Sequence, residues 1–528
     1  MSPPLAFSAL GGCVSYLRRL LLDQQLLQLA HIDVWTPTDG GKSEVGARTL
    51  VLDGKTLANL ELFENSSDQG PRGTLFSVVD HTQTPFGKRR LRQWLCAPPR
   101  QIVEISERQD AVAAVVGTPE LPKELKPVLR RLPDLERLLA RVHSFTVARA
   151  ANAATHYEDV GKARLNEFIK TLEGFETLRK GIARVQPLLA QLREQAPQLA
   201  AQLDEKAAFP AIETLLADFR ASFDIEGAKQ CGRVVPREGK DPVYEEAKQT
   251  LREIESKLEA ELKHWQKELG DKSIVYWTPG GSTTTEPYQL QVSTATLKKR
   301  GTPDEFMQKS SKQGTIRFWT AEIEDLVAEH IQAKLANEAA LKECATRLFA
   351  AFSAHFTLWR GAVSCAAELD CILSLAEVSA RDGMCRPTFV EAPRAFLHLS
   401  QGVNMCVQAA LADRDTTRPV IPNDIIMGTD PEAEPEPAFL LVTGPNMGGK
   451  STLLRQACLT VLMAHLGCWV HAESCRLSAF DRIFTRVGAN DAIMAGLSTF
   501  KVELTETVFV FFAHRTHFSH MSHPTFPI

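Results

Sequence analysis

The sequence has 528 residues, of which 44% are hydrophobic and 23% charged, and its formal net charge is −4. This composition is typical of a soluble, core-forming protein of several domains, and the net charge excludes a uniformly basic nucleic-acid binder. The 11 cysteines form no Cys-x-x-Cys pair, which argues against a disulfide scaffold or zinc ribbon and indicates a reducing compartment. The start of the chain lacks the pattern of a signal peptide, and no apolar run approaches the roughly 20 residues of a membrane span.

The first half of the chain has mostly the pattern of helices. Residues 15–29 (SYLRRLLLDQQLLQL) predict an amphipathic helix, and residues 47–62 follow with a short apolar alternation. Between residues 74 and 240, apolar side chains recur at three- and four-residue spacing, and prolines such as Pro122 and Pro210 mark turns between helices.

A charged arm is predicted next. Residues 244–269 form a long, highly charged helical stretch that is expected to face solvent on most sides. Residues 274–320 contain short β-like runs separated by Gly, Ser, Thr and Pro, and residues 321–356 return to a long helix. The pattern therefore predicts a helix pair that encloses a small β-rich tip.

The last part of the chain changes to alternating strands and helices. After a loop rich in Pro and Glu at 430–437, residues 438–443 predict a short buried strand, residues 450–466 a helix and residues 481–487 a second strand. Between the first strand and the helix lies the pattern G-x-x-x-x-G-K-[ST], in the strand-to-helix context that a phosphate-binding P-loop requires.

The P-loop pattern predicts a nucleotide site. Its glycines let backbone N–H groups point at phosphate oxygens, and the start of the helix adds partial positive charge. Lys450 is expected to reach the β- and γ-phosphates, while the hydroxyl of Ser451 helps to hold Mg²⁺. A chance glycine-rich turn is the alternative interpretation. The predicted nucleotide-binding residues are Gly444, Pro445, Asn446, Met447, Gly448, Gly449, Lys450, Ser451 and Thr452.

The amino-acid sequences of the P-loop and of several other segments resemble those of the MutS family of DNA mismatch repair ATPases. The resemblance is carried by TGPNMGGKST at 443–452, DRIFTRVG at 481–488, GLSTFKVE at 496–503, TLFSVVDHTQTPFGKRRLRQWLCAP at 74–98 and LPDLERLL at 132–139. It extends from about residue 5 to residue 507. Other segments, such as ALGGCVSYLRRLLLD at 9–23, look closest to the mismatch-reading subunit of a eukaryotic heterodimer.

The resemblance implies a multidomain fold: a mainly α-helical core, lever and clamp with a small β-rich tip, followed by a truncated α/β P-loop ATPase domain. The parts follow one another along the chain. They are the end of a connector domain (1–46), the first part of the core and lever helices (47–240), the clamp (241–334), the returning lever helices (335–375), the amino-terminal half of the ATPase domain (376–507) and a tail without resemblance (508–528).

The resemblance also implies ligands and partners. ATP or ADP and Mg²⁺ would bind at the P-loop, with Ser451 as the metal ligand. Ser498 and Thr499, in the family's signature loop, would contact the nucleotide held by a second MutS-type subunit of the heterodimer, MutS homolog 2 by resemblance. Read without the family, the two residues are an ordinary helix cap. Double-stranded DNA is the expected substrate and the nucleus the expected compartment.

A basic cluster lies within the predicted clamp. Its members alternate with Ser and Thr, a composition that fits contacts with DNA phosphates, which fix position without reading sequence. A solvated protein face is the alternative interpretation. The residues are Lys298, Lys299, Arg300, Lys309, Lys312 and Arg317.

Several positions depart from the family. Val420 stands where an aromatic residue commonly stacks on adenine, Val403-Asn404-Met405 replaces a usual Arg-His-Pro, and Lys501 replaces an apolar residue. The triplet Phe389-Val390-Glu391 spells the family's mismatch-reading motif but lies outside the reader domain, so it is rejected as a reader.

The end of the chain raises an expectation about activity. No Asp or Glu follows Glu506, so the strand ending in Asp-Glu that the family uses for hydrolysis is not found. We expect a MutS-type mismatch repair subunit that lacks the mismatch-reading domain and binds ATP without effective hydrolysis. The alternative is a catalytically inactive interaction module from a truncated or mis-spliced gene product. A transporter-type ATPase is disfavoured, because its Leu-Ser-Gly-Gly signature is absent.

Overall fold

The computed structural model describes residues 4–20, 23, 27, 49–147, 158–204, 209–278, 287–412, 420–434, 436–446 and 448–487. They are mostly helical, with small sheets, and the chain divides into two compact units. Unit 1 comprises Met1–Gln28, Ala140–Leu172 and Glu213–Phe356, and unit 2 comprises Leu29–Leu139, Glu173–Ile212 and Thr357–Ile528. None of the described helices has the length and apolar character that crossing a bilayer requires.

The elements follow one another in a long helical series with strands at two places. The helices are α1 (Pro4–Arg19), α2 (Gly54–Asn59), α3 (Leu75–Val79), α4 (Pro85–Cys96), α5 (Ile102–Gly117), α6 (Glu120–Arg131), α7 (Leu135–Val147), α8 (Glu158–Val185), α9 (Leu189–Gln195), α10 (Pro197–Leu203), α11 (Glu213–Ser222), α12 (Ile225–Cys231), α13 (Pro242–Glu268), α14 (Thr294–Arg300), α15 (Ala321–Ala354), α16 (Phe356–Ser379), α17 (Met405–Ala412) and α18 (Lys450–His465). The strands are β1 (Val51–Leu52), β2 (Val275–Trp277), β3 (Gln289–Ser293), β4 (Met307–Lys312), β5 (Thr315–Trp319), β6 (Met384–Cys385), β7 (Thr388–Phe389), β8 (Leu397–Gly402), β9 (Asn423–Met427), β10 (Val470–His471), β11 (Ser474–Leu477) and β12 (Arg482–Ile483).

In unit 1, the predicted helix pair with a β-rich tip is confirmed. Helices α13 and α15 pack together, and the antiparallel sheet between them has the order β2-β3-β5-β4. A common core joins the two helices and the sheet, with Leu258 of α13, Leu290 of β3 and Ile323 of α15 almost fully buried. Each helix begins at a capping side chain: Asp241 accepts the N–H of Tyr244 at 3.1 Å, and Thr320 caps α15 in the same way.

Strand β4 was not among the predicted β-like runs. Its sequence, MQKSSK, is polar, because β4 is an edge strand of the sheet and pairs only with β5 among the described strands. An edge strand that carries lysines discourages pairing with other chains. The periodicity of apolar residues therefore gave no signal for it.

In unit 2, a buried carboxylate fixes the start of α4. Asp370, fully buried in α16, accepts the N–H groups of Gln83 at 2.9 Å and Thr84 at 2.8 Å, and the Thr84 hydroxyl donates to it at 2.6 Å. Thr84 in turn caps α4 by accepting the N–H of Gly87 at 2.9 Å. A Cβ at Gly87 would lie 2.2 Å from the Asp370 carboxylate, so glycine is required there. Burial raises the pKa of Asp370 above its ordinary value.

The strands of unit 2 form small sheets near the end of the described chain. The largest has the order β7-β11-β8-β9, with β7 parallel to β11 and the other pairs antiparallel. Strand β10 pairs with β6, and β12 pairs in parallel with β1, which lies more than 400 residues earlier in the sequence. Residues from an early and a late part of the described chain therefore share one sheet.

The prediction of a buried strand at residues 438–443 is wrong. No strand among the described residues pairs with this segment, which has no regular structure. Phe439 is 78% exposed and Leu441 75% exposed. A strand exists only through hydrogen bonds to a neighbour, so apolar residues of strand type do not form one by themselves.

The neighbouring predictions hold to different degrees. The helix predicted at 450–466 is confirmed as α18. Of the strand predicted at 481–487, only Arg482–Ile483 is a strand. The first predicted helix, at 15–29, is shifted: α1 begins at Pro4 and ends at Arg19, and most of residues 21–30 lie outside the described residues.

Candidate functional site

The predicted phosphate-binding loop leads directly into α18. Gly449, the residue before the helix, has a left-handed backbone with φ of 88°, which a residue with a side chain rarely adopts. Before it, the N–H of Gly448 donates to the carbonyl of Pro445 at 3.2 Å and closes a tight turn. The first N–H groups of a helix have no partner within the helix, so this turn presents free donors at the start of α18. Met447 lies outside the described residues.

Lys450 lies across the loop. Its Nζ donates to the carbonyl oxygens of Gly444 and Pro445, both at 2.7 Å. The ammonium group is therefore held at the mouth of the turn, beside the start of the helix. Both features attract anions, because a positive charge and the helix dipole act on the same volume.

The start of α18 offers an oxygen ligand for a divalent cation. Ser451, exposed at the start of α18, offers a hydroxyl oxygen, which suits a hard cation such as Mg²⁺ when phosphate oxygens complete its ligands. Within the ranges that the structure describes, no group of three or more His, Cys, Asp or Glu side chains is placed to hold a metal on its own. The Ser451 hydroxyl would supply one ligand to such a metal, and the oxygens of a bound phosphate would supply others.

Asn404 contacts the first turn of α18 through a hydrogen bond. Its amide Nδ2 donates to the carbonyl of Thr452 at 3.4 Å, while its Oδ1 accepts the N–H groups of Cys406 and Val407 at the start of α17. The side chain is 4% exposed. In this chain, the segment Val403-Asn404-Met405 thus joins α17 to the helix of the P-loop.

His465, the last residue of α18, is fully buried and links the helix to two distant segments. Its Nδ1 and the carbonyl oxygen of Pro99 are 2.8 Å apart, and the N–H of Phe480 donates to its Nε2 at 3.1 Å. This pattern requires the neutral ring with its proton on Nδ1. Burial lowers the pKa of His465 to about 4.

The triplet at 389–391 belongs to the same packed region. The Phe389 ring lies edge-on to His465, with centroids 5.3 Å apart, and strand β7 ends at Phe389. This packing agrees with its rejection as a mismatch reader.

Of two other predicted features, one lies just before β9 and the other lies outside the described residues. Val420 is half-buried and precedes Ile421, which is 77% exposed, just before β9. The signature-loop residues Ser498 and Thr499 lie outside the described residues, as does Lys501.

The basic cluster of unit 1 separates into two groups. Lys298, Lys299 and Arg300 are exposed together in the last turn of α14, and Lys312 is exposed at the end of β4. Positive side chains at the end of a helix are also favoured by the helix dipole. These four residues are available for contact with an external polyanion.

Arg317 and Lys309, in contrast, take part in the internal packing of unit 1. Arg317 is 8% exposed, its guanidinium carbon lies 3.5 Å from the ring centroid of Trp277, and its Nε donates to Gln291 at 3.1 Å. Lys309 lies 4.4 Å from the ring centroid of Trp319. Both arrangements have cation–π geometry, which stabilises the sheet. The sequence pattern had placed both residues with the surface cluster, because their aromatic partners lie on other strands.

Comparison with known proteins agrees with this architecture. Residues 55–376 match the family described as MutS domain III, and residues 440–519 match MutS domain V. The DNA mismatch repair protein Msh6 of Gallus gallus is 40% identical over 95% of this chain, and that of Homo sapiens is 38% identical over the same share. The protein of the same name from Arabidopsis thaliana is 39% identical over 95% of the chain.

The chain spans 39%, 38% and 37% of the lengths of these three relatives. The resemblance found in the sequence, to the MutS family and within it to MutS homolog 6, is confirmed by these similarities.

The buried His465 predicts a specific dependence of stability on pH. Its folded pKa of about 4 lies below the ordinary value of 6.5, so the unfolded chain binds a proton that the folded chain does not as pH falls between these values. At pH 5.5 this single group is expected to lower the free energy of unfolding by about 1.4 kcal/mol relative to pH 7.5.

Urea unfolding of the wild type and of His465→Gln at both pH values isolates this effect from other titrating groups. The wild type should lose more stability than the variant on acidification. An equal loss in the two proteins would show that His465 is not buried as a neutral ring.

Proposed function

Since the chain belongs to the MutS family, we propose that it is the ATP-binding and DNA-clamping part of a mismatch repair subunit. The observation that carries this proposal is the loop at 444–452, where the Lys450 ammonium, a left-handed glycine and the start of α18 converge. The proposed ligands are ATP or ADP with Mg²⁺. The proposed compartment is the nucleus, and the proposed arrangement is a heterodimer with a second MutS-type subunit.

Each part of the loop has a proposed role. The backbone N–H groups from Gly449 to Ser451 bind phosphate oxygens, and Lys450 exchanges its two carbonyl acceptors for the β- and γ-phosphates. Ser451 binds Mg²⁺ through its hydroxyl. The metal, when bound, neutralises phosphate charge, and the chain's own contribution is to orient the nucleotide.

The nucleotide site is proposed to extend beyond the described residues. Ser498 and Thr499 would contact the nucleotide of the partner subunit, which makes the pair of sites depend on dimerisation. The proposed domain order remains that of the sequence: connector end, core and lever helices, clamp, returning lever and ATPase domain. The match of residues 55–376 to MutS domain III and of 440–519 to MutS domain V supports the order of the larger parts.

DNA contact is proposed for the exposed part of the basic cluster. Lys298, Lys299, Arg300 and Lys312 are on the surface of the β-rich tip of unit 1 and suit phosphate contacts. Lys309 and Arg317 instead support the sheet, whose strand β4 ends at Lys312. Such contacts give affinity without sequence preference.

The nucleotide prediction is tested by Lys450→Ala. Removing the ammonium should weaken binding of a fluorescent ATP analogue with Mg²⁺ by at least roughly tenfold, because a charge-assisted phosphate contact is lost. Lys334→Ala removes an exposed lysine of α15 in unit 1 and serves as a matched control that should bind like the wild type. Equal affinities of the wild type and Lys450→Ala would contradict the nucleotide site.

The DNA prediction is tested by the triple variant Lys298→Ala, Lys299→Ala, Arg300→Ala. Its affinity for duplex DNA should depend less on salt, with the log–log slope reduced by about 2 to 3, since each phosphate contact contributes ~0.9. A control triple variant of exposed residues elsewhere, Lys123→Ala, Arg131→Ala, Lys170→Ala, changes the net charge equally. If the two triple variants lose the same slope, general charge rather than the tip binds DNA.

A further inference from the structure

Glu61, which precedes the P-loop by almost 400 residues in the sequence, has an unusual backbone conformation. It follows α2 and has a left-handed backbone with φ of 53°, a conformation that is uncommon for a residue with a side chain. Glycine or asparagine would adopt it at lower cost. A glutamate held in this conformation therefore points to a use for its side chain.

The side chain of Glu61 reaches the P-loop helix. Its Oε1 lies 3.2 Å from Nη1 of Arg455 in α18, and the hydroxyl of Ser66 donates to the same carboxylate oxygen at 2.6 Å. Both partners are well covered, with side chains 19% exposed for Glu61 and 30% exposed for Arg455. Such partial burial lets an ion pair fix geometry better than a fully exposed pair does.

The backbone of Glu61 is held as firmly as its carboxylate. Its N–H donates to the carbonyl of Ala58 at 3.0 Å, and its own carbonyl accepts the N–H of Leu75 at 3.4 Å. The residue therefore links α2, α3 and α18. The hydrogen bonds of the backbone and the contacts of the carboxylate together hold the side chain of Glu61 in one position.

Arg455 lies one helical turn after Ser451, on the same side of α18. Helical side chains lean towards the amino terminus of the helix, so the Arg455 side chain is directed towards the turn that carries Lys450 and Ser451. A contact at this point fixes how the helix is rotated about its axis. Rotation by one residue position would move the Ser451 hydroxyl by about 100°.

We propose that Glu61 is a positioning residue for the nucleotide site: through Arg455 it fixes the rotation of α18, so that Lys450 and Ser451 face the phosphates and the metal. The proposal rests on the proposed nucleotide binding and assigns part of that site to the segment that precedes α3. Asn404, bonded to the carbonyl of Thr452, holds the same turn from a second side. Glu61 itself does not touch the nucleotide.

The surroundings of the pair agree with this role. Burial, and after it the charge of Glu61, raise the pKa of the nearby Cys406 thiol to about 12. The thiol is therefore neutral and does not compete for the guanidinium. The pair is left as the charged link between the two segments at this point.

The test is a double-mutant cycle on the full chain, with Glu61→Gln, Arg455→Gln and the two combined. The glutamine at 61 keeps the shape and the left-handed backbone and removes only the charge. Affinity for a fluorescent ATP analogue with Mg²⁺ is measured, together with the urea midpoint in the absence of nucleotide. Glu104→Gln is the matched control, because it breaks an ion pair with Arg108 at 2.9 Å in α5, which carries no nucleotide residue.

Each single variant is expected to bind the analogue roughly five- to tenfold more weakly, and the double variant no more weakly than the weaker single one. Glu104→Gln should shift the urea midpoint by a similar amount and leave the affinity unchanged. This contrast separates a positioning role from general stability.

Two results overturn the proposal in distinguishable ways. If Lys450→Ala binds weakly but Glu61→Gln binds like the wild type, or the two single effects simply add, nucleotide binding stands and the positioning role is wrong. If the wild type binds no better than Lys450→Ala, the nucleotide site and the role of Glu61 both fail.

Discussion

The attachment of α18 to the early part of the chain is the constraint on which the candidate site depends. At its first turns the helix is joined to Glu61 through Arg455, and at its last residue His465 meets the carbonyl of Pro99. Between these points much of the helix is buried, and Leu462 and Ala464 are fully buried. A helix fixed at both ends presents its amino terminus in one direction, as a phosphate site requires.

The same early segment also holds the strand that follows. Thr56, which is fully buried, donates through its hydroxyl to the carbonyl of Ile483 at 3.3 Å and accepts the N–H of Thr485 at 3.2 Å. Asn59 donates to the carbonyl of Thr485 at 3.1 Å, and β1 pairs with β12. Hydrogen bonds of this kind contribute about 1 kcal/mol each, so together they hold the two segments firmly against each other. They connect a region matching MutS domain III to one matching MutS domain V.

Much of the architecture could be predicted from local patterns. Helices α13, α15 and α18 have apolar periodicity or clear start signals, such as Asp241, Thr320 and the glycine at 449, and their predicted bounds agree with the structure to within a few residues. The segment 438–443 shows the limit of this approach. Its residues have the right character for a buried strand, but pairing is a property of the neighbour, which the local sequence does not contain.

The candidate site was predictable only in its loop. Lys450 and Ser451 follow from a short motif, whereas Glu61 lies in an unremarkable stretch and becomes informative only through its backbone angle and its distant partner. The roles of Lys309 and Arg317 were hidden for a related reason. Their aromatic partners depend on the register of neighbouring strands, which no single stretch of sequence reveals.

The coupling of α18 to the early segment is tested by amide hydrogen exchange of the full chain with and without ATP and Mg²⁺, compared with Lys450→Ala. If α18 is fixed to the early segment, nucleotide binding should slow exchange in residues 450–465 and also in residues 49–62 of the wild type, but in neither segment of the variant. Slower exchange confined to residues 444–465 would contradict the claim that nucleotide binding stabilises the early segment together with the nucleotide site.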